Sequence, residues 1–325
     1  MKRVLVSGAS GIVGYGIMRS IRRSGRPCFL VGTSIYDDSV APAFCDIFEQ
    51  APPTNTPEYL DWLLATLLRH RIDLLIPGIE IDMYNWVEHV SEIEKTGAIP
   101  LLNKSELVSL CKDKWMFYRR LEQAGVSCAI ECSLEAEFTQ LEKRFGLPFL
   151  LKPRRGFGSK GIVRVTSEEL FQGYRANIGP LLMAQPIVGD DAEEYTTSAF
   201  CDGHGGYFAS MTLRRKLSRD GFTDKAEVVD TTEFITVIDE LCRLFRPLGP
   251  TNFQFRRCAD GPKLLEINPR ISSSTSIRAA FGYNESVLAL DYFLDQRTPI
   301  QPTITRGRAV RYTDEHIFYE DGINF

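Results

Sequence analysis

Asn252-Phe253-Gln254-Phe255, the turn pair Asp260-Gly261 and the run Leu265-Glu266-Ile267-Asn268-Pro269-Arg270 form the stretch whose reading decides this chain. Side chains on a strand alternate between its two faces. Phe253, Phe255, Leu265 and Ile267 are therefore expected on one face, and Asn252, Gln254, Glu266 and Asn268 on the other. A turn centred on Asp260 sets Gln254 opposite Glu266 and Asn252 opposite Asn268, with opposed Cβ atoms about 5 Å apart. The polar face is then a compact set of oxygen donors with one fixed negative charge, backed by an apolar layer. Such a set suits Mg²⁺, a hard cation that shares its oxygen ligands with substrate phosphates. A hairpin with one solvated face would show the same alternation. Pro269 and Arg270 tilt the reading towards chemistry, because Arg270 adds a forked cation beside the metal position.

Gln254, Glu266, Asn268 and the Asn268-Pro269-Arg270 ending, at this spacing, resemble the metal-binding hairpin of ATP-grasp enzymes. Within that superfamily the hairpin is most similar to the synthetase domains of the carbamoyl-phosphate synthetase large subunit. The resemblance implies that Gln254, Glu266 and Asn268 hold Mg²⁺, two ions in that family, with Mn²⁺ as an alternative. It implies catalytic roles for Arg270 and Lys152 and a nucleotide cofactor, ATP.

The resemblance extends upstream. Lys114, in Lys112-Asp113-Lys114-Trp115, and Lys152, before Pro153-Arg154-Arg155-Gly156-Phe157-Gly158-Ser159-Lys160-Gly161, match two cations that contact nucleotide phosphates in the family. The same chemistry is legible without it: glycines let backbone N–H groups approach phosphate oxygens, and the cations offset phosphate charge. On that basis Gly158 and Ser159 are expected at the phosphates, although a basic, glycine-containing surface loop is the ordinary reading of such a segment. Met183-Ala184-Gln185-Pro186-Ile187-Val188-Gly189 resembles the hinge that holds adenine. This implies Gln185 and Ile187 at the base, with Val188 as a further backbone candidate because Pro186 lacks an N–H, and Glu194 at the ribose. Glu193 is the alternative ribose residue.

Further outward, residues 1–104 alternate strand and helix. Strands are expected at 4–7, 28–31 and 72–76, and helices at 12–23 and 57–70, the latter with Leu60, Leu63, Leu64 and Leu67 on one face. Gly8-Ala9-Ser10-Gly11-Ile12-Val13-Gly14 fits the dinucleotide-binding pattern of short-chain dehydrogenases and sugar epimerases. No Tyr-x-x-x-Lys pair follows it in the next two hundred residues to transfer their proton. From Ser105 the pattern changes to a helix running through Lys114 to Gly125, then helices at 134–145, 167–176, 231–245 and 285–294. Strands are expected at 149–152, 161–165, 181–188, 194–201, 206–213, 252–256, 263–268 and 308–319. Arg214-Arg215-Lys216-Leu217-Ser218-Arg219 reads as a basic loop, with an anionic acceptor as its functional alternative.

The expected fold class is therefore α/β plus α+β, with a Rossmann-like N-terminal domain (1–104) followed by a two-lobed ATP-grasp domain. Residues 105–188 form its lid and small lobe, and 189–325 its large lobe with the metal hairpin. The 325 residues carry 44% hydrophobic and 25% charged side chains and a net charge of −4, which gives no reason to expect nucleic acid. No apolar run approaches membrane length. Eight scattered cysteines without a CxxC pair fit a reducing cytoplasm, and the four dispersed histidines receive no catalytic role. The expected activity is a carboxylate–amine or carboxylate–ammonia ligase working through an acyl phosphate. Its partners are a small-molecule carboxylate and an amine or ammonia, with a homodimer left open. A nicotinamide-dependent epimerase or reductase and a non-catalytic ATP-binding protein are the competing classes.

Overall fold

The computed structural model describes residues 1–156 and 160–319. Two compact units emerge. The first comprises Met1–Asn103, Asp224–Glu227 and the residues from Arg270 on; the second comprises Lys104–Thr223 and Val228–Pro269. The expected division has three parts and leaves the C-terminal segment with the large lobe. In the structure that segment packs by its own apolar and ionic contacts into the first unit. Helix Thr275–Ala280 lies against helix Ile12–Arg23, and Arg26 pairs with Asp291 and with Asp295 (2.5 Å).

The first unit is built on a parallel sheet of β1 (Lys2–Val6), β2 (Cys28–Ser34), β3 (Ile47–Gln50), β4 (Leu74–Ile76) and β5 (Ile99–Pro100), in the order β3-β2-β1-β4-β5. Val4, Leu5, Val6, Leu74, Leu75 and Ile76 are fully buried, as a sheet covered on both faces requires. Helix Ile12–Arg23 buries Val13, Ile17, Met18 and Ile21 along one stripe, and Tyr59–His70 buries Tyr59, Leu63 and Leu67. The glycine-rich turn after β1 is a packing device. A Cβ on Gly14 would lie 2.3 Å from the Gly8 carbonyl oxygen, and one on Gly78 2.1 Å from that of Ser7. Strand β2 ends at Ser34, whose hydroxyl bonds that of Ser10, where a dinucleotide fold needs a carboxylate for the ribose.

In the second unit a small sheet, β7-β6-β8, joins β6 (Phe149–Pro153), β7 (Val163–Val165) and β8 (Leu182–Pro186). A larger antiparallel sheet runs through β9 (Glu194–Asp202), β10 (Tyr207–Leu217), β11 (Thr223–Val229), β12 (Leu248–Cys258) and β13 (Gly261–Asn268). The 224–227 part of β11 belongs to the first unit and pairs there with β14 (Arg308–Val310), so the strand expected over 308–319 is only three residues long.

The helix expected from Ser105 to Gly125 is two helices, Ser105–Cys111 and Lys114–Ala124. Asp113 breaks it, because its carboxylate accepts the N–H groups of Trp115 (3.0 Å) and Met116 (3.4 Å) as an N-cap. Gly125, in the left-handed region, ends the second helix as expected. The core of this unit gathers Phe117, Tyr118, Leu121, Phe234, Ile238, Phe253, Phe255 and Leu264.

Candidate functional site

The hairpin of β12 and β13 pairs Asn252 with Asn268 and Gln254 with Glu266, in the expected register. A bulge between Gln254 and Phe255 then shifts the pairing by one, so that Phe255 faces Leu264. The expected apolar layer is corrected accordingly. Leu264 is the fully buried core residue, whereas Leu265 is partly exposed and lines a pocket.

That pocket lies within the second unit. Lys114, Lys152, Lys160, Gln185, Val188, Glu194, Gln254, Arg256 and Glu266 contribute its polar and hinge positions, and Leu150, Ile162, Leu217 and Leu265 its apolar surface. Seven of the residues expected at the site thus meet: Lys114, Lys152, Gln185, Val188, Glu194, Gln254 and Glu266. Asn268 is adjacent, since its Nδ2 donates to Glu266 Oε1 at 3.1 Å. Ile187 is not among the lining residues. Gly158 and Ser159 lie outside the described residues. Arg270 belongs to the first unit, where its guanidinium pairs with Glu80 and bonds the carbonyl of Ile271 at 2.7 Å.

Each side chain is placed by its element. Lys114 opens the helix capped by Asp113; its N–H bonds the Arg154 carbonyl (2.7 Å) and its Nζ the Gly156 carbonyl (2.5 Å). Asp113 also holds Arg154 at 2.7 Å, fixing the start of the basic loop. Burial pushes the Asp113 carboxyl up, but the Arg154 bond and the capping N–H groups outweigh it and hold it below the usual range. Lys152 sits on β6 opposite Met183, and its Nζ donates to Gln185 Oε1 at 3.1 Å. Burial lowers the Lys152 ammonium to about 8, against the opposing pull of Glu266 and with help from Lys114.

The start of β9 separates the two ribose candidates, because Glu193 ends the short 3-10 turn Asp191–Glu193 and Glu194 is the first residue of the strand. Glu194 faces the pocket, whereas Glu193 points away to Arg257 (2.5 Å) and the Tyr195 hydroxyl (2.7 Å). Glu194 is itself clamped. Arg215 donates to Oε1 through Nε (3.1 Å) and Nη2 (2.9 Å), and Arg256 reaches Oε2 at 3.3 Å.

Arg215 and Arg256 are absent from the residues expected at the site. The basic run expected as a loop is instead the end of β10: Arg214 and Lys216 are exposed while Arg215 is 5% exposed. The signal was present in the alternation Met211, Leu213, Arg215, Leu217, which keeps Arg215 in phase with an apolar face.

The donors facing the pocket at the hairpin are hard oxygens, with one carboxylate. Among the described residues no group of three or more His, Cys, Asp and Glu side chains could hold a metal by itself. This chemistry fits Mg²⁺ that completes its shell with phosphate oxygens and water, and does not fit a closed protein cage. No helix among the described residues is long and apolar enough to cross a membrane.

Residues 182–316 match the family described as ATP-grasp in the biosynthetic pathway with Ter operon. The carbamoyl phosphate synthase large chain of Archaeoglobus fulgidus is 26% identical over 196 residues, covering 56% of this chain and 18% of that protein. The chain thus spans under a fifth of that curated relative's length. Among solved structures, N5-carboxyaminoimidazole synthetase from Staphylococcus aureus complexed with ADP aligns with a TM-score of 0.73 at 16% identity, covering 93% of this chain and 80% of that one. The biotin carboxylase–β,γ-ATP complex from Campylobacter jejuni also gives 0.73 at 16% identity, covering 94% and 74%. Residues 182–316 thus carry an ATP-grasp family match, the chain is similar in sequence to the carbamoyl phosphate synthase large chain, and its parallel and antiparallel sheets share the fold of the ATP-grasp ligase structures it aligns with.

Proposed function

We propose that the chain is an ATP-dependent carbon–nitrogen ligase that activates a small-molecule carboxylate as an acyl phosphate and passes the acyl group to an amine or ammonia. The observation that supports this most is the gathering of Lys114, Lys152 and Lys160 with Gln254 and Glu266 around one pocket. Cations placed to meet phosphates and an oxygen-donor hairpin form a charge-stabilising arrangement for phosphoryl transfer. Lys114 and Lys152 bind the phosphates, and Gln185 and the backbone at Ile187 and Val188 orient the base. Glu194, held in place by its two arginines, accepts the ribose hydroxyls.

Glu266, Asn268 and Gln254 are the residues that would hold Mg²⁺, which when bound draws charge from the phosphate oxygens. Arg270, one residue beyond Pro269 in the chain, is the proposed cation for the transferring group. The carboxylate oxygen attacks the γ-phosphorus and ADP departs; the amine then attacks the acyl carbon and phosphate leaves. No side-chain nucleophile is required.

A panel of amino acids and sugar acids, each with an amine or ammonia and MgATP, tests this by ADP release. Stimulation by a particular acid and amine pair, abolished in Glu266→Gln, is the expected outcome. A folded protein that binds ATP without turnover on any pair would favour the non-catalytic class.

A further inference from the structure

Arg215 is nearly fully buried, yet it touches an expected ribose residue, Glu194, through Nε and Nη2, and an expected metal ligand, Gln254 Oε1, through Nη2 at 2.5 Å. Glu194 pairs with the buried guanidinium through two hydrogen bonds from one side, which holds it beside Gln254. The amide oxygen of Gln254 is therefore already engaged by a cation. A divalent ion bound to the same oxygen would lie next to the guanidinium, and like charges at that separation repel strongly where water is scarce. Glu266 brings its own negative charge, with Lys152 within electrostatic reach, and its hydrogen bond is from Asn268, so a divalent ion there meets a carboxylate and not a guanidinium already bonded to its ligand oxygen. The pocket is also rich in fixed positive charge, with Lys114, Lys152, Lys160 and Arg256 lining it against the carboxylates of Glu194 and Glu266.

We infer that this chain binds one divalent ion per nucleotide, held by Glu266 and Asn268, and that Arg215 supplies fixed charge in place of a second ion at Gln254. Arg215 is thus a specificity-determining residue for metal stoichiometry. The inference rests on the nucleotide reading of the pocket, and it departs from that reading in removing Gln254 from the metal ligands, and with it the second ion that the family resemblance implies.

The test counts Mn²⁺ bound at saturating β,γ-imido analogue of ATP, from the loss of the free Mn²⁺ electron paramagnetic resonance signal. Wild-type protein should bind one Mn²⁺ per nucleotide. Arg215→Gln and Arg215→Met, which remove the cation, should bind two, while Arg215→Lys should remain at one. Two ions per nucleotide in wild-type protein would overturn the inference, and this count does not depend on whether any variant folds. A folded Arg215→Gln or Arg215→Met that stays at one would overturn it as well. No nucleotide-dependent Mn²⁺ binding in wild-type protein would overturn the site assignment itself, and with it this inference.

Discussion

Lys152 gives the site a defined pH dependence. Its ammonium is lowered to about 8 by burial, so in the nucleotide-free protein it loses its proton as pH rises through that value. Phosphates favour the charged form, so binding above pH 8 must take up a proton. Nucleotide affinity should then fall by up to about tenfold per pH unit above 8. The sign for stability is opposite. The folded state holds fewer protons than the unfolded chain between about 8 and the ordinary lysine value, so the free protein gains stability with rising pH across that window. Calorimetry in buffers of different protonation enthalpy checks the uptake, and Lys152→Met should abolish it. Glu266→Gln is nearly isosteric but removes the one hairpin carboxylate; turnover should drop at least about a hundredfold with the fold retained. Near-normal ADP formation by that variant at saturating Mg²⁺ would refute the metal assignment. Lys152 and Glu266 do line one pocket; alternation along the hairpin pointed to Glu266, and the family resemblance pointed to Lys152. Arg215 was not legible, because a basic run after a strand reads as solvated loop until the strand is seen to continue.

The hairpin is the element where sequence periodicity succeeds and then fails. Strict alternation placed Asn252, Gln254, Glu266 and Asn268 together, and the register agrees. Alternation carries no signal for a bulge, which inserts one residue and exchanges the neighbours Leu264 and Leu265 between core and pocket. The two leucines should respond differently. Leu264→Ala opens a cavity in the core and should cost about 2–5 kcal/mol. Leu265→Ala should cost about 1 kcal/mol of stability but weaken nucleotide binding roughly fivefold through lost apolar contact. Thermal unfolding and calorimetric titration separate the two effects; equal destabilisation would place Leu265 in the core after all. The Asp113 break is a similar case. The Asp113 carboxylate binds the two following N–H groups and Arg154, and the Arg154 partner, 41 residues on, is invisible to local periodicity.

At the scale of the whole chain, the alternation of strand and helix in the first hundred residues made the parallel sheet legible. The return of the residues after Arg270 to that unit was not, because contacts such as Arg26 with Asp291 join residues hundreds of positions apart. The Gly8-Gly11-Gly14 turn is explained by close backbone packing and Ser34 replaces the ribose carboxylate, so mixing with NADH should produce no fluorescence transfer. The central claim concerns how the carboxylate is activated, and hydroxylamine tests it most directly, since a strong small nucleophile intercepts an acyl phosphate when the natural amine is withheld. With an acid that stimulates turnover, MgATP and hydroxylamine, the account predicts ADP and a hydroxamate in equal amounts and no AMP. AMP with pyrophosphate, or a stable phosphorylated product that hydroxylamine leaves untouched, would contradict it.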